Sequence, residues 1–310
     1  MKRLLSSLFF SIFVLLALNI STELAYCNNQ AGEWEKGPKA KARLISSIQA
    51  VGELDTIPIG LEIRLKPGWK TYWRSPGVSG LPPKVDLSKS SNLSSSVFHW
   101  PLPSRFSYYD IDVVGYSQEV IFPIDLLVER VGQPLHLKAV VEILVCDDVC
   151  IPHVMNLTLN LPSGLASPTN YTNIINRYRA QVPGDGKNTA LTFEGASYKG
   201  SLTNPTLEVK FSSFSVLESP DLLVEGPNEM LFSKPNFTFF DDRKTVLIKV
   251  KVEESYPEHS LENTYNQLLR LTFFDGNRSI EKQTVPIQIS LTEEKNRYNY
   301  FKLLSIIFVA

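Results

Sequence analysis

The chain has 310 residues, with 31 lysines and arginines against 32 aspartates and glutamates and a formal net charge of −1. So even a balance offers nucleic acid no electrostatic footing, and no nucleic-acid partner is expected. No Ser/His/Asp grouping, phosphate-cradling glycine loop or paired-carboxylate site stands out, which leaves hydrolase and nucleotide chemistry without support.

Residues 1–27 read as a secretory leader: Lys2 and Arg3, an apolar run from Leu4 to Ile20, and a polar region ending Ala25-Tyr26-Cys27. The run spans 17 residues with serines inside it, which is marginal for crossing a membrane. The bulky Tyr26 argues against a lipoprotein cleavage box at Cys27. Removing Lys2, Arg3 and Glu23 with the leader leaves a net charge of −2.

About 280 mature residues with many short strands exceed one small β-domain and fit two. The fold class expected is all-β, two immunoglobulin-like antiparallel sandwiches joined by a short helix. Strands are predicted at 42–50, 57–65, 97–100, 120–128 and in two arms around 140–161. After them, residues 166–184 read as a helical linker with Tyr171, Ile174, Ile175 and Tyr178 on one face. Ser167 or Thr169 is its expected N-cap, and Pro183-Gly184 its stop. A second sandwich over 185–292 follows, with strands at 207–211, 222–225, 237–240, 245–252, 267–274 and 284–291, the last two joined through Asp275-Gly276-Asn277. This half has no cysteine and reads as a structural or docking module. Residues 293–310 end in the apolar YFKLLSIIFVA, too short to span. They read either as a tail making weak contact with a membrane surface or as the first turns of a longer apolar segment.

The cysteines of the mature chain lie in VVEILVCDDVCIPHVMNLTLNL, residues 140–161. β-branched residues precede Cys146, and Met155, Leu157, Leu159 and Leu161 alternate with polar residues after Cys150, the period of a half-buried strand. Asp147-Asp148-Val149 is then a three-residue hairpin loop. On one continuous strand Cys146 and Cys150 would sit roughly 13 Å apart, beyond reach of a disulfide. Across a hairpin they fall within it. Three uses stay open at this point: thiol–disulfide exchange, a permanent structural bridge, and a copper or zinc site built from Cys146, Cys150 and His153.

Three segments, GWKTYWRSPGVSGLPP (68–83), GYSQEVIFPI (115–124) and VCDDVCIP (145–152), resemble in that order the periplasmic N-terminal region of the DsbD family of thiol:disulfide interchange proteins, in its ScsB-like branch. The resemblance covers residues 40–165 and implies a DsbD-like redox domain over 31–165, located in the periplasm and using no cofactor. It implies that Cys146 and Cys150 are the redox pair, exchanging electrons between a membrane thiol–disulfide donor and periplasmic thioredoxin-like acceptors, some of them in cytochrome c biogenesis. It places a shielding cap over 106–112, with Tyr108 and Tyr109 as shields, and aromatic neighbours at Trp69, Tyr72 and Trp73. The chain ends where the family's membrane domain begins, so electrons are expected from a separate membrane protein. Asp147 and Asp148, between the cysteines, and His153, just after them, are candidate tuners of the thiols.

Overall fold

A computed structural model describes residues 30–77, 79–108, 111–201, 204–227, 230–253 and 266–292. The expected leader, the apolar tail 293–310 and Tyr109 lie outside the described residues. The fold is all-β and immunoglobulin-like, with two sandwiches. No helix among the described residues is long and apolar enough to cross a membrane.

The first sandwich contains β1 (Glu35–Lys36), β2 (Ala40–Ser46), β3 (Thr56–Leu65), β4 (Lys70–Gly77), β5 (Lys84–Asp86), β6 (Leu93–Phe98), β7 (Ser104–Tyr108), β8 (Ile111–Ser117), β9 (Glu119–Val128), β10 (Leu135–Cys146) and β11 (Cys150–Leu161). One sheet runs β1-β2-β3-β9-β6. The other runs β11-β10-β4-β8-β7, with β5 also paired to β10. Their inner faces share a core in which Leu61, Ile63, Trp73, Phe122, Val141 and Leu161 are fully buried. On the outer face of the first sheet lies α1 (Thr172–Arg179). Ile175 is completely buried there against Ile45 and Ile121, with Tyr171, Ile174 and Tyr178 around it, burial that contributes on the order of 2 kcal/mol for one isoleucine. This double covering explains why β3 and β9 are apolar almost without alternation.

The second sandwich comprises β12 (Leu191–Ser201), β13 (Asn204–Ser213), β14 (Pro220–Glu225), β15 (Leu231–Phe232), β16 (Asn236–Phe240), β17 (Thr245–Glu253), β18 (Leu269–Asp275), β19 (Arg278–Thr284) and β20 (Ile287–Thr292). A sheet ordered β15-β17-β13-β12-β20 faces a sheet ordered β14-β18-β19. Phe211 and Phe273 stack across the gap with ring centroids 4.3 Å apart.

Several elements differ from the sequence reading. The cap expected over 106–112 falls within the β7–β8 hairpin, whose strands pair from Ser104↔Gly115 to Tyr108↔Ile111. Strands β4, β5 and β12 were not foreseen either. The segment at 284–291 is divided: Gly276-Asn277 turns β18 into β19, and β20 starts beyond Val285-Pro286 and joins the other sheet, parallel to β12. Proline cannot donate to a ladder, so a sheet change there has a local cause. The helix N-cap is Tyr171, with no side-chain cap. Thr169 instead accepts the Tyr171 N–H and donates to the Ser46 carbonyl, which fastens the chain entering the helix to the first sheet.

The two sandwiches meet directly. Leu223 of β14 is buried in the core of the first sandwich, and Phe274 packs against it. Arg74 forms a two-pronged pair with Glu225, at 2.6 to 3.1 Å, and also reaches Glu281. Arg105 donates to Asp221 at 2.9 and 3.1 Å and to the Leu222 carbonyl at 3.1 Å. Burial by itself would lower the Arg74 pKa, but the hydrogen bonds and charges of Glu225 and Glu281 raise it above the ordinary value. Fork-to-carboxylate geometry of this kind is the strongest form of protein ion pair.

Candidate functional site

β10 and β11 stay in register from Leu135↔Leu161 to Cys146↔Cys150, so the cysteines flank the loop at the turn end of the hairpin. Their sulfurs are bonded at 2.00 Å, with Cα atoms 4.1 Å apart. The Asp147 N–H donates to the Val149 carbonyl at 3.1 Å and closes the loop. Core-facing positions on β10 are the odd ones from Leu135 to Val145, so Cys146 and Cys150 point to the outer face of the sheet.

The two sulfur-bearing residues are unequal. Cys150 is exposed, whereas Cys146 is only 8% exposed. β4 makes the difference. Lys70 pairs with Cys146 across the ladder, which places Tyr72, two residues on, beside the disulfide on the same face. The Tyr72 hydroxyl donates to Cys146 Sγ at 3.0 Å and lies 3.7 Å from Cys150 Sγ. Burial raises the Tyr72 pKa, so the phenol stays protonated and stays a donor. Gly80, at φ +123°, lies flat on the tyrosine ring: a Cβ there would sit 2.3 Å from Cε1. The loop after β4 therefore holds the ring in place, and a side chain at position 80 would displace it.

The β7–β8 hairpin extends the same face. Gly115 stands opposite Tyr72 in the ladder, and a Cβ at Gly115 would fall 2.1 Å from the Thr71 carbonyl oxygen, so only glycine permits this strand approach. Lys70 Nζ lies 5.4 Å from the centre of the Phe106 ring, which joins the hairpin to the strand beside Cys146. Tyr108 ends β7.

Other expected site residues are placed differently. Trp73 follows Tyr72 and faces the opposite way, fully buried in the sandwich core, and Trp69 belongs to that core as well. Neither surrounds the disulfide. Asp147 packs beside the turn at Gly68, and Asp148 is exposed at the loop. His153 stands opposite Ile143, on the core face of β11 and away from the cysteines. It is 8% exposed and packs against Gly37, and its Nε2 has no hydrogen-bond partner among the described residues. An offset of three along a strand inverts the face, which excludes both thiol tuning through contact and the Cys146, Cys150, His153 metal set. No cluster of three or more metal-ligating side chains exists among the described residues.

Burial lowers the His153 pKa. A histidine held neutral in the folded state takes up protons more readily when unfolded, so its contribution to stability is present above the unfolded pKa and falls as pH drops below about 6.5. Urea titrations should show stability declining between about pH 7 and 5.5, and His153→Asn should flatten that slope. An unchanged slope would place the titrating group elsewhere.

Sequence reasoning missed Gly80 and the Arg74 and Arg105 pairs to the second sandwich. Gly80 carried a usable signal, a glycine beside prolines just after an aromatic strand. The arginines carried none, because their partners lie more than a hundred residues away.

An all-β domain whose hairpin presents one exposed and one covered cysteine, bridged to each other and touched by a phenol, defines a thiol–disulfide interchange domain. Residues 41–162 match the family described as the N-terminal part of thiol:disulfide interchange protein DsbD. Over those residues the chain is similar to the DsbD N-terminal family. Residues 181–288 match a domain of unknown function. The crystal structure of the N-terminal periplasmic domain of ScsB from Proteus mirabilis is similar at 26% identity, over 84% of this chain and 100% of that one, with a TM-score of 0.66. No curated protein sequence matches the chain.

Proposed function

We propose that the chain is an exported, periplasmic electron relay that passes reducing equivalents from a membrane thiol–disulfide donor to thioredoxin-like acceptors through a reversible Cys146–Cys150 bond. The observation that carries this reading is the asymmetry of the pair, with Cys150 open to attack and Cys146 covered and hydrogen-bonded by Tyr72. A donor thiolate attacks Cys150 Sγ, the intramolecular S–S bond breaks, and Cys146 leaves as a thiolate that accepts the Tyr72 hydrogen bond. The donor's second thiolate attacks its own linked sulfur, releasing Cys150 and leaving the donor oxidised. In the onward step the Cys150 thiolate attacks the acceptor disulfide. Cys146 then resolves the mixed disulfide, so two electrons reach the acceptor and the Cys146–Cys150 bond reforms. Two influences oppose each other at the thiols. The Tyr72 donor favours the Cys146 thiolate, whereas the Asp147 and Asp148 carboxylates disfavour it and pull the pair toward the reducing side. Tyr108, the last residue of β7, and Tyr109, next in the sequence, limit access of small oxidants to the reduced pair in this reading.

Free thiols counted on the folded protein before and after treatment with a thioredoxin-like reductant test the reading. The expected count rises from none to two, with the fold retained. A bridge that yields only after denaturation would make it structural.

A further inference from the structure

We infer that the second sandwich is a brace for the exchange site, with Arg105 and Arg74 as the positioning residues through which it fixes the β7–β8 hairpin and the strand bearing Tyr72. This rests on the relay reading above and assigns a role to the half of the chain whose family match carries no function.

The ladder between β4 and β8 explains the need for a brace. It pairs Lys70↔Ser117, Thr71↔Tyr116 and Tyr72↔Gly115, then lapses until Gly77↔Val113. Among its described residues, the outer half of the hairpin, Phe106 to Tyr108 and Ile111 to Val113, is thus joined to β4 through a single further pair, and a hairpin held mainly at its base is a locally weak unit. The lapse covers Trp73, Arg74, Ser75 and Pro76, and from it Arg74 reaches Glu225 and Glu281 on the second sandwich. Its guanidinium also lies 4.4 Å from the centre of the Trp73 ring. The hairpin itself is held from the same side. Arg105 of β7 binds Asp221 and the Leu222 carbonyl, and Asp112 of β8 lies 3.8 Å from Arg105 and 4.0 Å from Lys234. Side chains of Arg74, Arg105, Asp221, Glu225 and Glu281 are between 16 and 22% exposed. Ion pairs so far removed from water hold position in a way that exposed pairs do not. With the brace engaged, Phe106 stays beside Lys70 and Tyr72 stays on Cys146 Sγ. With it broken, the strand bearing Tyr72 loosens, and Cys146 Sγ, which Tyr72 covers, becomes open to small oxidants.

The experiment uses the whole chain as Arg105→Gln, Asp221→Asn and the reversed pair Arg105→Asp with Asp221→Arg. Amide hydrogen exchange across 104–117 and the rate at which oxidised glutathione reacts with the reduced protein are both read. Each single variant should raise both by about tenfold, because a desolvated partner is left unpaired. The reversed pair should return both to within about twofold of wild type, a rescue that loss of bulk stability alone would not give. Singles that leave exchange and oxidation unchanged, or a reversed pair as fast as the singles, would overturn the brace. Failure of the relay reading shows separately, as a wild-type disulfide that resists reduction in the folded state while hairpin exchange still follows the variants.

Discussion

Cys146→Ala should accumulate a stable mixed disulfide through Cys150 when mixed with oxidised thioredoxin-like acceptors, whereas Cys150→Ala should accumulate essentially none. Both variants should lose interchange by roughly three orders of magnitude or more, as enzymes do when a nucleophile that acts as part of a unit is removed. The difference between them is geometric. Cys150 is exposed and can take part in an in-line attack. Cys146 is covered, with the Tyr72 hydroxyl on its sulfur, and in the proposed relay it is the resolving and leaving sulfur. Stability should fall by only about 2 kcal/mol, because a bridge across three intervening residues removes little chain entropy from the unfolded state. Non-reducing gels with each variant read the trap. Equal trapping by both, or trapping through Cys146 alone, would reverse the assignment of roles.

The second large effect separates two neighbours. Tyr72→Phe should leave stability within about 1 kcal/mol of wild type yet raise the Cys146 thiol pKa by about one unit or more, since a hydrogen bond to a charged group is worth roughly 1.5 to 3 kcal/mol. A poorer leaving thiolate then slows exchange. Trp73→Ala should do the opposite. Trp73 is fully buried in the core of the first sandwich, and deleting so large a side chain costs about 3 to 5 kcal/mol. The thiol pKa should stay near that of wild type. Thiolate absorbance against pH, with denaturant curves on the same samples, reads both. If Trp73→Ala moves the thiol pKa while Tyr72→Phe does not, the tryptophan and not the phenol governs the sulfur.

The redox hairpin was legible from residues alone. Alternation from Met155 to Leu161 and the β-branched run before Cys146 define two strands, and the three residues between them admit only a tight loop. Apolar runs also marked β2, β3 and β9, and alternation marked β13 and β17. Neither signal marked β4 and β7. WKTYWRSP and SRFSY show no clean two-residue alternation: on β4, Trp73 enters the sandwich core while Tyr72 meets the disulfide and Arg74 the second domain, and on β7 Arg105 is drawn to the second domain. The side of the strand taken by His153 follows from an odd offset from Cys150. It became clear only once β11 was known to begin at the cysteine itself.

The sequence alone therefore determined the all-β class, the hairpin and that Cys146 and Cys150 can meet across it, because strand period and loop length act over a few neighbouring residues. Tertiary structure decided which sulfur is open, which aromatic touches the other, and that Arg74 and Arg105 pair with carboxylates of the second sandwich. Those outcomes depend on contacts spanning from 74 residues, between Tyr72 and Cys146, to 207, between Arg74 and Glu281. No local pattern encodes such contacts, because the partners meet only when both sandwiches have folded and docked.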